Sequence, residues 1–487
     1  MSRTKIIATY GPACESDRRI RAMLRGGLDV FRLNLSHLDP ADLVATATRL
    51  RSIAEKSRIP LAILADMPGP KIRCTVCEPE RFEVGEGTRL SISARDGIST
   101  PQEIRIPYPY LLEDVKVGHE IAINDGMVLV RVEKVDRRAQ SLRGVVVRGG
   151  LVGSRKGVSF LHTTLRIRGL TERDRRGLHA AAQGPIDFIA LSFVRSSDDL
   201  LQARRVLKRA GKAGIPLIAK IEQHEALDRI DEIVAVSDGI MVARGDMGIE
   251  RPLEEVPLLQ KDIIARSNRA GKFVITATQM LESMTESSRP TRAEVTDVAN
   301  AILDGTDAIM LSAETAMGRD PALVVRTMTR IATVAEQGID HLERLRRYHP
   351  DRRVAEGVKP DLDDALAHAA CRLAVDARLD ALLCLSFHGS TARRIARYRP
   401  RCPTYVLSPH EEQCRRLALT WGVEVFAFPE ARPTRSGRVP SPDRLIEPMV
   451  RTLRRAGRLR AGHRIAALAG LPLDAPGGTN WLRVVEI

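Results

Sequence analysis

Aromatic residues are scarce in this chain: Phe, Trp and Tyr together make up 3% of its 487 residues. Proteins that bind single-stranded nucleic acid usually stack the bases on aromatic side chains, and the sequence contains no nucleic-acid-binding motif. The net charge is +15, from 76 basic and 61 acidic side chains. Such a charge also suits small anionic substrates. We expect no nucleic-acid partner, with a basic nucleic-acid-binding protein as the alternative.

Long hydrophobic runs and a secretory signal are also missing. No uninterrupted apolar run reaches about 18 residues, the length that a membrane-spanning helix needs. The N-terminal stretch MSRTKIIATYGP lacks the apolar region of a signal peptide and leads directly into a predicted strand. We therefore expect a cytoplasmic protein without a membrane segment.

Two motifs that could carry chemistry are incomplete. The seven cysteines are scattered, as in reduced intracellular proteins, and the C-x-x-C pair Cys74 and Cys77 has no second pair or βαβ redox context beside it. The stretch GSRKGVSF has glycines and basic residues but lacks the Walker A pattern. Neither motif predicts a function by itself.

Eight short apolar runs, each followed by a helix-like stretch, dominate the sequence. They are TKIIAT, DVFRLN, LAILADM, DFIALSF, PLIAKI, DGIMVAR, KFVITAT and DAIMLS. Continuous apolar runs that alternate with helices are typical of parallel strands covered on both faces. Eight such units predict an α/β fold of the (β/α)8 TIM-barrel type, and a doubly wound open sheet is the alternative.

Two further regions interrupt or follow this pattern. Between the third and fourth runs, hairpin-like segments such as RLSISA and EIAINDGMVLVRVEKV predict an all-β lid domain at residues 68–163. The barrel would then comprise residues 1–67 and 164–340, with the lid inserted on its catalytic face. The later runs LDALLCLSF, PTYVLS and VEVFAF predict a C-terminal α/β domain at residues 341–487.

Polar residues collect where six of the predicted barrel strands end. They are Arg32, Asn34, Ser36, Asp66, Lys220, Glu222, Arg244, Asp246, Thr276, Thr278, Ser312 and Glu314, and Gly245 lies between two of them. Because the strands of a barrel all end on one face, we expect many of these side chains at one site. A network of ion pairs without a substrate is the alternative.

The residue types at these ends fit phosphoryl transfer. Lys220 and Glu222 lie two residues apart on a strand and point the same way. Asp246 follows a glycine at a predicted helix start, where free N–H groups can hold an anion. Two carboxylates with room for water suit Mg2+, with Mn2+ as a substitute. Arg32 and Arg73 add the positive charge that a moving phosphoryl group requires.

Seven segments, in order along nearly the whole chain, resemble pyruvate kinases. They are TKIIATYGPA, DVFRLNLSH, LSFVRS, IAKIE, VARGDMGIE, TATQMLESM and RPTRAEVTDVANAILDGTDAIMLSAETAMG. The resemblance implies a barrel, an inserted lid and a C-terminal regulatory domain, usually assembled as a homotetramer. It also implies the last step of glycolysis, in which phosphoenolpyruvate and ADP give pyruvate and ATP. Another phosphoenolpyruvate or enolate lyase, which would not need ADP, is the alternative enzyme.

The resemblance also implies roles by motif position. Lys220 would stabilise the transferring phosphoryl group, and Glu222 and Asp246 would bind Mg2+. Arg32 would hold the substrate phosphate from the barrel, and Arg73 would hold it from the lid hinge.

Four positions are implied to contact the rest of the substrates. The backbone at Gly245 and Asp246, with the Thr278 side chain, would hold the substrate carboxylate. Thr278 would also help to protonate the enolate through water. Lys156, together with Arg73, would face the nucleotide. The segment 159–162, Ser-Phe-Leu-His, departs from the Asn-Leu-Pro that usually follows GSRKGV in the family.

The segment DMPGPKIR departs from the DTKGPEIR of many family members. Their K+ ligands align with Asn34, Ser36 and Asp66, helped by a threonine that is Met67 here. Lys71 replaces their glutamate, a change found in the K+-independent type. We expect the Lys71 ammonium to supply the missing positive charge near this pocket, so that K+ is not required. The alternative is that Lys71 faces solvent.

The stretch LSFHGSTARRIARYRP predicts a binding site for a phosphorylated allosteric effector in the C-terminal domain. It places hydroxyls and a glycine between a strand and a basic helix. The candidate residues are Ser386, His388, Gly389, Ser390 and Thr391. An ordinary helix N-cap is the alternative.

Overall fold

Eight parallel strands close into a barrel at the centre of the molecule. The computed structural model describes residues 2–167, 169–350, 361–432, 440–473 and 478–487. The barrel strands, numbered along the chain, are β1 Lys5–Thr9, β2 Val30–Asn34, β3 Ala62–Met67, β12 Phe188–Leu191, β13 Leu217–Ile221, β14 Gly239–Ala243, β15 Phe273–Ala277 and β16 Ala308–Leu311. They close in the order β1-β16-β15-β14-β13-β12-β3-β2. This confirms the predicted (β/α)8 barrel and excludes the open sheet.

Strand residues alternate between two hydrophobic layers. In β3, Ala62 and Leu64 pack inside the barrel. Ile63, Ala65 and Met67 pack in the layer between the barrel and its helices. Because successive side chains of a strand point to opposite faces, the Asp66 side chain falls on the inner face at the carboxyl end of the strand.

Helices surround the barrel and follow its strands. The longer ones are Asp17–Gly26, Leu43–Ser57, Glu172–Gln183, Ser197–Arg209, Val256–Arg269, Arg292–Asp304 and Pro321–Ala335. The shorter ones, including 3-10 turns, are Pro12–Cys14, His224–Asp228, Ile230–Val236, Arg244–Glu250, Glu282–Thr285, Ala313–Ala316 and Glu336–Gly338. No helix in the described part of the chain is long and apolar enough to cross a membrane.

A small β domain is inserted between β3 and β12. Its strands are β4 Arg81–Val84, β5 Arg89–Ser93, β6 Glu103–Arg105, β7 Glu120–Ile123, β8 Val128–Asp136, β9 Ser141–Arg148, β10 Gly150–Gly153 and β11 Val158–Leu161, with one short helix, Leu111–Asp114. They form a β10-β4 pair and a sheet of order β11-β7-β8-β9-β5-β6. All of them fall within the range 68–163, whose limits stay predictions.

The C-terminal region forms a separate α/β layer structure. Its strands are β17 Ala381–Leu385, β18 Thr404–Ser408, β19 Val423–Ala427, β20 Arg464–Ala469 and β21 Trp481–Glu486. Its helices are His341–Arg347, Leu362–Asp376, Ser390–Arg397, Glu411–Arg416 and Pro442–Arg455, with a 3-10 turn at Pro429–Ala431. The sheet order is β19-β18-β17-β20-β21, and only β21 runs antiparallel to its neighbour among these described strands.

A buried arginine ties this C-terminal layer to the barrel. Arg399 is 1% exposed, and its Nη1 lies 2.6 Å from Asp307 Oδ1. Its Nη2 donates to the carbonyl oxygen of Gly305 at 2.7 Å, and its guanidinium lies over the ring of Trp421. Asp307 immediately precedes β16, so this contact anchors the C-terminal domain to the amino end of the barrel.

We predict that Arg399→Gln strongly destabilises the protein. The substitution leaves the buried Asp307 carboxylate without its charge partner, which typically costs about 3–5 kcal/mol. Thermal melting followed by circular dichroism should show a clear fall in Tm. Arg458→Gln is the matched control, because the Arg458–Glu424 pair is solvent-accessible and such pairs contribute about 0–1 kcal/mol. Equal Tm values for the two variants would contradict the anchoring role.

Candidate active site

Four charged side chains alternate in sign at the carboxyl end of the barrel. Arg32 Nε lies 2.6 Å from Asp66 Oδ2. Lys220 Nζ lies 3.5 Å from Asp66 Oδ1 and 3.0 Å from Glu222 Oε1. All four residues are buried, and Asp66 and Glu222 are each 1% exposed. We call these four residues the barrel-mouth cluster.

The charges of the barrel-mouth cluster stabilise one another. Burial lowers the pKa of Lys220, but Asp66 and Glu222 outweigh it, so that the pKa is raised and the ammonium stays charged. Burial raises the pKa of Asp66, but Lys220 and Arg32 outweigh it, so that this pKa is lowered. The centre of the cluster is therefore a fixed Lys220–Asp66 ion pair.

Two hydroxyl groups that the sequence reasoning missed hold the cations in place. Lys220 Nζ donates to Ser192 Oγ at 2.6 Å. Arg32 Nη1 donates to Thr9 Oγ1 at 3.0 Å. Both hydroxyl residues lie at the ends of barrel strands, Thr9 in β1 and Ser192 just after β12. The strand-end pattern could have found them, since Thr9 is the last residue of the first apolar run and Ser192 the second-last residue of the fourth.

Glu222 is the least satisfied member of the cluster. Its Oε2 accepts a hydrogen bond from the Phe193 N–H at 2.7 Å. Its Oε1 is buried and accepts no aligned hydrogen bond from the described residues, although Lys220 Nζ lies close by. Burial raises the pKa of Glu222 to about 6, because Lys220 offsets this only in part and the Asp246 carboxylate adds to it. The charge of this carboxylate is therefore only partly compensated within the cluster.

Asp246 supplies a third carboxylate at the barrel mouth, beside Asp66 and Glu222. It lies in the first turn of the helix Arg244–Glu250, which follows β14 directly. The described residues contain no group of three or more His, Cys, Asp and Glu that could hold a metal ion. A pair of carboxylates fits Mg2+, which keeps several water ligands and needs few protein ligands.

The structure places the Lys71 ammonium at the barrel mouth, against the Asp246 carboxylate. Its Nζ lies 3.1 Å from Asp246 Oδ1 and 3.9 Å from Asp125 Oδ1, not beside Asp66. The reason is that both Asp66 oxygens already face buried cations, whereas Asp246 and Asp125 are open to the hinge. Lys71 is partly buried rather than free in solvent.

The predicted monovalent-cation pocket also differs in detail. Asn34 lies beside Asp66 in the β2–β3 register, and its Oδ1 accepts from the Ser36 N–H at 3.1 Å. The Met67 side chain is 1% exposed and packs in the layer under the helices. The Met67 side chain therefore points away from Asp66, which lies on the inner face of the barrel.

Thr278 adopts a backbone conformation that a β-branched residue rarely takes. Its φ is +71°, in the left-handed region. Its Oγ1 accepts from the Gly245 N–H at 2.9 Å and donates to the Ala277 carbonyl at 2.6 Å. Arg244 Nη2 fixes the Thr278 carbonyl at 2.7 Å. Strained residues of this kind concentrate at functional sites, which favours a role for Thr278.

Arg73 and Lys156 lie on the hinge and lid, outside the barrel-mouth cluster. Both are exposed. Arg73 forms an antiparallel bridge with Gly157, and its Nη1 donates to the Arg155 carbonyl at 3.0 Å. Arg73 also borders a cavity of about 700 Å3 between the hinge and the lid. The described conformation thus brings neither residue to Lys220.

Several polar groups of the predicted effector loop already form hydrogen bonds with neighbouring residues. Ser386 Oγ accepts from the Gly389 N–H at 2.9 Å, and Gly389 has φ +77°. Thr391 Oγ1 accepts from Thr479 Oγ1 at 2.8 Å and is buried. His388 is exposed, and Ser390 begins the helix Ser390–Arg397.

Comparisons with known proteins agree with this architecture. The profile "Pyruvate kinase, barrel domain" matches residues 1–325, and "Pyruvate kinase, alpha/beta domain" matches residues 364–485. Pyruvate kinase of Geobacillus stearothermophilus is 39% identical over 482 residues, which cover 99% of this chain and 80% of that protein. Pyruvate kinase of Clostridium acetobutylicum is 39% identical over 485 residues, covering 99% of both chains.

A solved structure gives the same result in three dimensions. A crystal structure described as a pyruvate kinase from Cryptosporidium parvum superposes with a TM-score of 0.91 at 31% sequence identity, and the match covers 100% of this chain and 96% of that one. With both family profiles, full-length relatives and this superposition in agreement, the chain belongs to the pyruvate kinase family.

Proposed function

We propose that the barrel-mouth cluster transfers a phosphoryl group from phosphoenolpyruvate to ADP, giving pyruvate and ATP. Membership of the pyruvate kinase family implies this reaction. The observation that carries the assignment to this site is the Lys220 ammonium, buried between two carboxylates at the carboxyl end of a barrel. Barrel enzymes place their chemistry at that end.

Lys220 and Arg32 would hold the transferring phosphoryl group. Both cations are fixed before substrate arrives, Lys220 by Ser192 and Asp66, and Arg32 by Thr9 and Asp66. Charges that need no reorganisation stabilise a transition state more effectively than mobile charges do. The phosphoryl group would approach the open side of these cations and would not have to displace the buried Asp66.

Glu222 and Asp246 would hold Mg2+ in this account. Support comes from Glu222 Oε1, which accepts no aligned hydrogen bond in the described residues, and from the raised pKa of that carboxyl. When bound, the ion would neutralise charge on the phosphate oxygens during transfer. The Lys71 ammonium pairs with the Asp246 carboxylate, so it would have to leave that carboxylate when Mg2+ binds.

Gly245, Asp246 and Thr278 would bind the substrate carboxylate. The Gly245 N–H already donates to Thr278 Oγ1, so an incoming carboxylate oxygen could replace the hydroxyl as the acceptor. The released Thr278 hydroxyl would then be free to help protonate the enolate through water. Arg73 and Lys156 would reach the substrate phosphate and the nucleotide only if the lid moves towards the barrel.

Several finer properties belong to the same proposal. We propose a cytoplasmic homotetramer that is regulated by a phosphorylated effector bound near Ser386, His388, Gly389, Ser390 and Thr391. We also propose that the domain limits are 1–67 with 164–340, 68–163, and 341–487. The family relationship and the separate C-terminal sheet support these statements.

Omitting ADP tests the reaction against the alternative of a lyase. Pyruvate formation from phosphoenolpyruvate and Mg2+ is measured by coupling to lactate dehydrogenase, with and without ADP. A pyruvate kinase forms pyruvate only with ADP and yields one ATP for each pyruvate. Pyruvate released at the same rate without ADP would indicate an enolate lyase.

We predict that Lys220→Ala nearly abolishes turnover and leaves the fold intact. Loss of a preorganised charge of this kind costs about 3 kcal/mol or more in the transition state, because water cannot replace an ammonium fixed between two carboxylates. The coupled assay measures the loss, and far-ultraviolet circular dichroism checks the fold. Lys212→Ala, at an exposed lysine, should keep normal activity. Normal activity in Lys220→Ala would refute the assignment.

Ser192→Ala should lower kcat more than it changes KM. The hydroxyl is a positioning group for the Lys220 ammonium, and a hydrogen bond to a charged group contributes about 1.5–3 kcal/mol. Ser192→Thr keeps the hydroxyl and should recover much of the rate. If the alanine variant retains the wild-type kcat, or if threonine gives no recovery, Ser192 has no positioning role.

We predict turnover without added K+. The Asp66 charge is balanced internally, and the Lys71 ammonium lies at the barrel mouth, where a second cation would be repelled. Activity is measured at constant ionic strength in buffer free of K+ and Na+, and again with K+ added. Lys71→Gln should make the enzyme respond to K+. A rise of more than about tenfold on adding K+ to the wild-type protein would contradict this prediction.

A further inference from the structure

A cavity lies where the amino end of the barrel meets the C-terminal domain. Its volume is about 350 Å3. On the barrel side it is bounded by Pro216 and Lys272, which immediately precede β13 and β15. On the other side it is bounded by Arg393 and Arg397 of the helix Ser390–Arg397, and by Arg416. We call it the junction cavity.

Every carboxylate that borders the junction cavity already has an arginine partner. The Asp238 carboxylate lies 2.5 Å from an Arg204 nitrogen. The other two are Asp361, 3.5 Å from Arg394, and Asp364, which pairs with Arg397. These carboxylates are therefore already paired with other cations, and only Asp238 offsets part of the remaining positive charge, from beyond ion-pair distance.

Lys272 and Arg393 are the two cationic residues of the cavity wall that form no ion pair with a carboxylate of the described residues. Lys272 Nζ donates to the carbonyl oxygens of Ser237 at 2.6 Å and of Ala235 at 3.3 Å. Arg393 Nη2 donates only a long hydrogen bond, 3.3 Å, to the His388 carbonyl. Within the described ranges, neither residue has a carboxylate at ion-pair distance. The two charged groups come from different domains and face one cavity.

The electrostatics agree with an excess of positive charge. Burial lowers the pKa of Lys272, and Arg393 lowers it further, while Asp238 opposes both effects. Burial also lowers the pKa of Arg393. Partly desolvated cations without counter-charges are costly in a folded protein. The cost would be relieved by an anion that reaches both groups.

Further hydrogen-bond donors on the cavity wall are unused. Arg397 is 5% exposed, and its Nε is buried without a hydrogen-bond partner among the described residues. Arg416 Nε is also buried without a hydrogen-bond partner among the described residues. Guanidinium groups are well suited to the oxygens of a phosphate, since they donate two parallel hydrogen bonds.

We propose that the junction cavity binds a phosphate dianion or the phosphate group of a small monoester, held between Lys272 of the barrel and Arg393 of the C-terminal domain. This site differs from the loop predicted from sequence, because Ser386 and Thr391 do not border the cavity. It shares only its rim, at His388 and Ser390, with that loop. Binding here would bridge the two domains, and it does not depend on the proposed catalytic roles.

The test is a thermal titration with inorganic phosphate against sodium chloride at equal ionic strength. Phosphate should raise Tm in a saturable manner, because the ligand binds the folded state, and chloride should not. A parallel titration with glucose 6-phosphate separates the two sources of the group: a larger shift at equal concentration assigns the site to a monoester. The Lys220→Ala variant removes the main phosphate-binding charge of the barrel mouth and should keep the shift.

Two substitutions at Arg393 decide where the phosphate binds. Arg393→Gln should lose the phosphate-dependent shift. Arg393→Glu should also lose it and should have a higher Tm than the wild type without phosphate, because the new carboxylate faces Lys272. Arg454→Gln, at an exposed arginine of the same domain, is the matched control and should keep the full shift. If Arg393→Glu fails to fold, Arg393→Gln alone decides.

Two results would overturn the proposal. One is a wild-type Tm that rises no more in phosphate than in chloride, and no more in glucose 6-phosphate. The other is a phosphate shift that persists unchanged in Arg393→Gln. Neither result bears on turnover, so failure of this site and failure of the catalytic assignment are distinguishable.

Discussion

Lys220 keeps its positive charge in a buried position, and the arrangement of the barrel mouth follows from that requirement. Burial disfavours an ammonium unless opposite charges and hydrogen-bond acceptors surround it. Asp66 and Glu222 supply the charges, and Ser192 supplies the acceptor. Asp66 in turn requires Arg32, which explains why four buried groups alternate in sign. The result is a rigid cation that needs no rearrangement to meet a phosphoryl group.

Lys71 connects the lid hinge to this centre. It lies between Asp125 of the lid and Asp246 of the barrel, so it neutralises a carboxylate that a divalent cation would otherwise occupy. Binding of a divalent cation at Asp246 and movement of the lid hinge would therefore be linked through the Lys71 ammonium. At the other end of the same barrel, Lys272 and Arg393 border the junction cavity without a carboxylate at ion-pair distance in the described residues. The molecule thus has a charge-balanced cluster at the carboxyl end of the barrel and an excess of positive charge at the amino end.

Much of the fold and of the barrel mouth could be predicted from the sequence, because both depend on simple periodicity. Apolar runs located the eight barrel strands, and their polar ends located Arg32, Asp66 and Lys220. Side-chain pairing could not be predicted in the same way. Glu314 also follows a strand, yet it accepts hydrogen bonds from the Leu281 and Ser312 N–H groups and is structural. The contact of Lys71 with Asp246 could not be predicted either, because it depends on which carboxylates remain unpaired in three dimensions.

A crystal structure with Mg2+ and phosphoenolpyruvate tests the account most directly. We predict that Glu222 and Asp246 both contact the ion, that Lys71 has left Asp246, and that Lys220 and Arg32 contact the substrate phosphate while keeping their contacts with Asp66. A structure in which the ion binds elsewhere, Lys71 stays on Asp246 and Lys220 makes no contact with the phosphate would contradict the central claim.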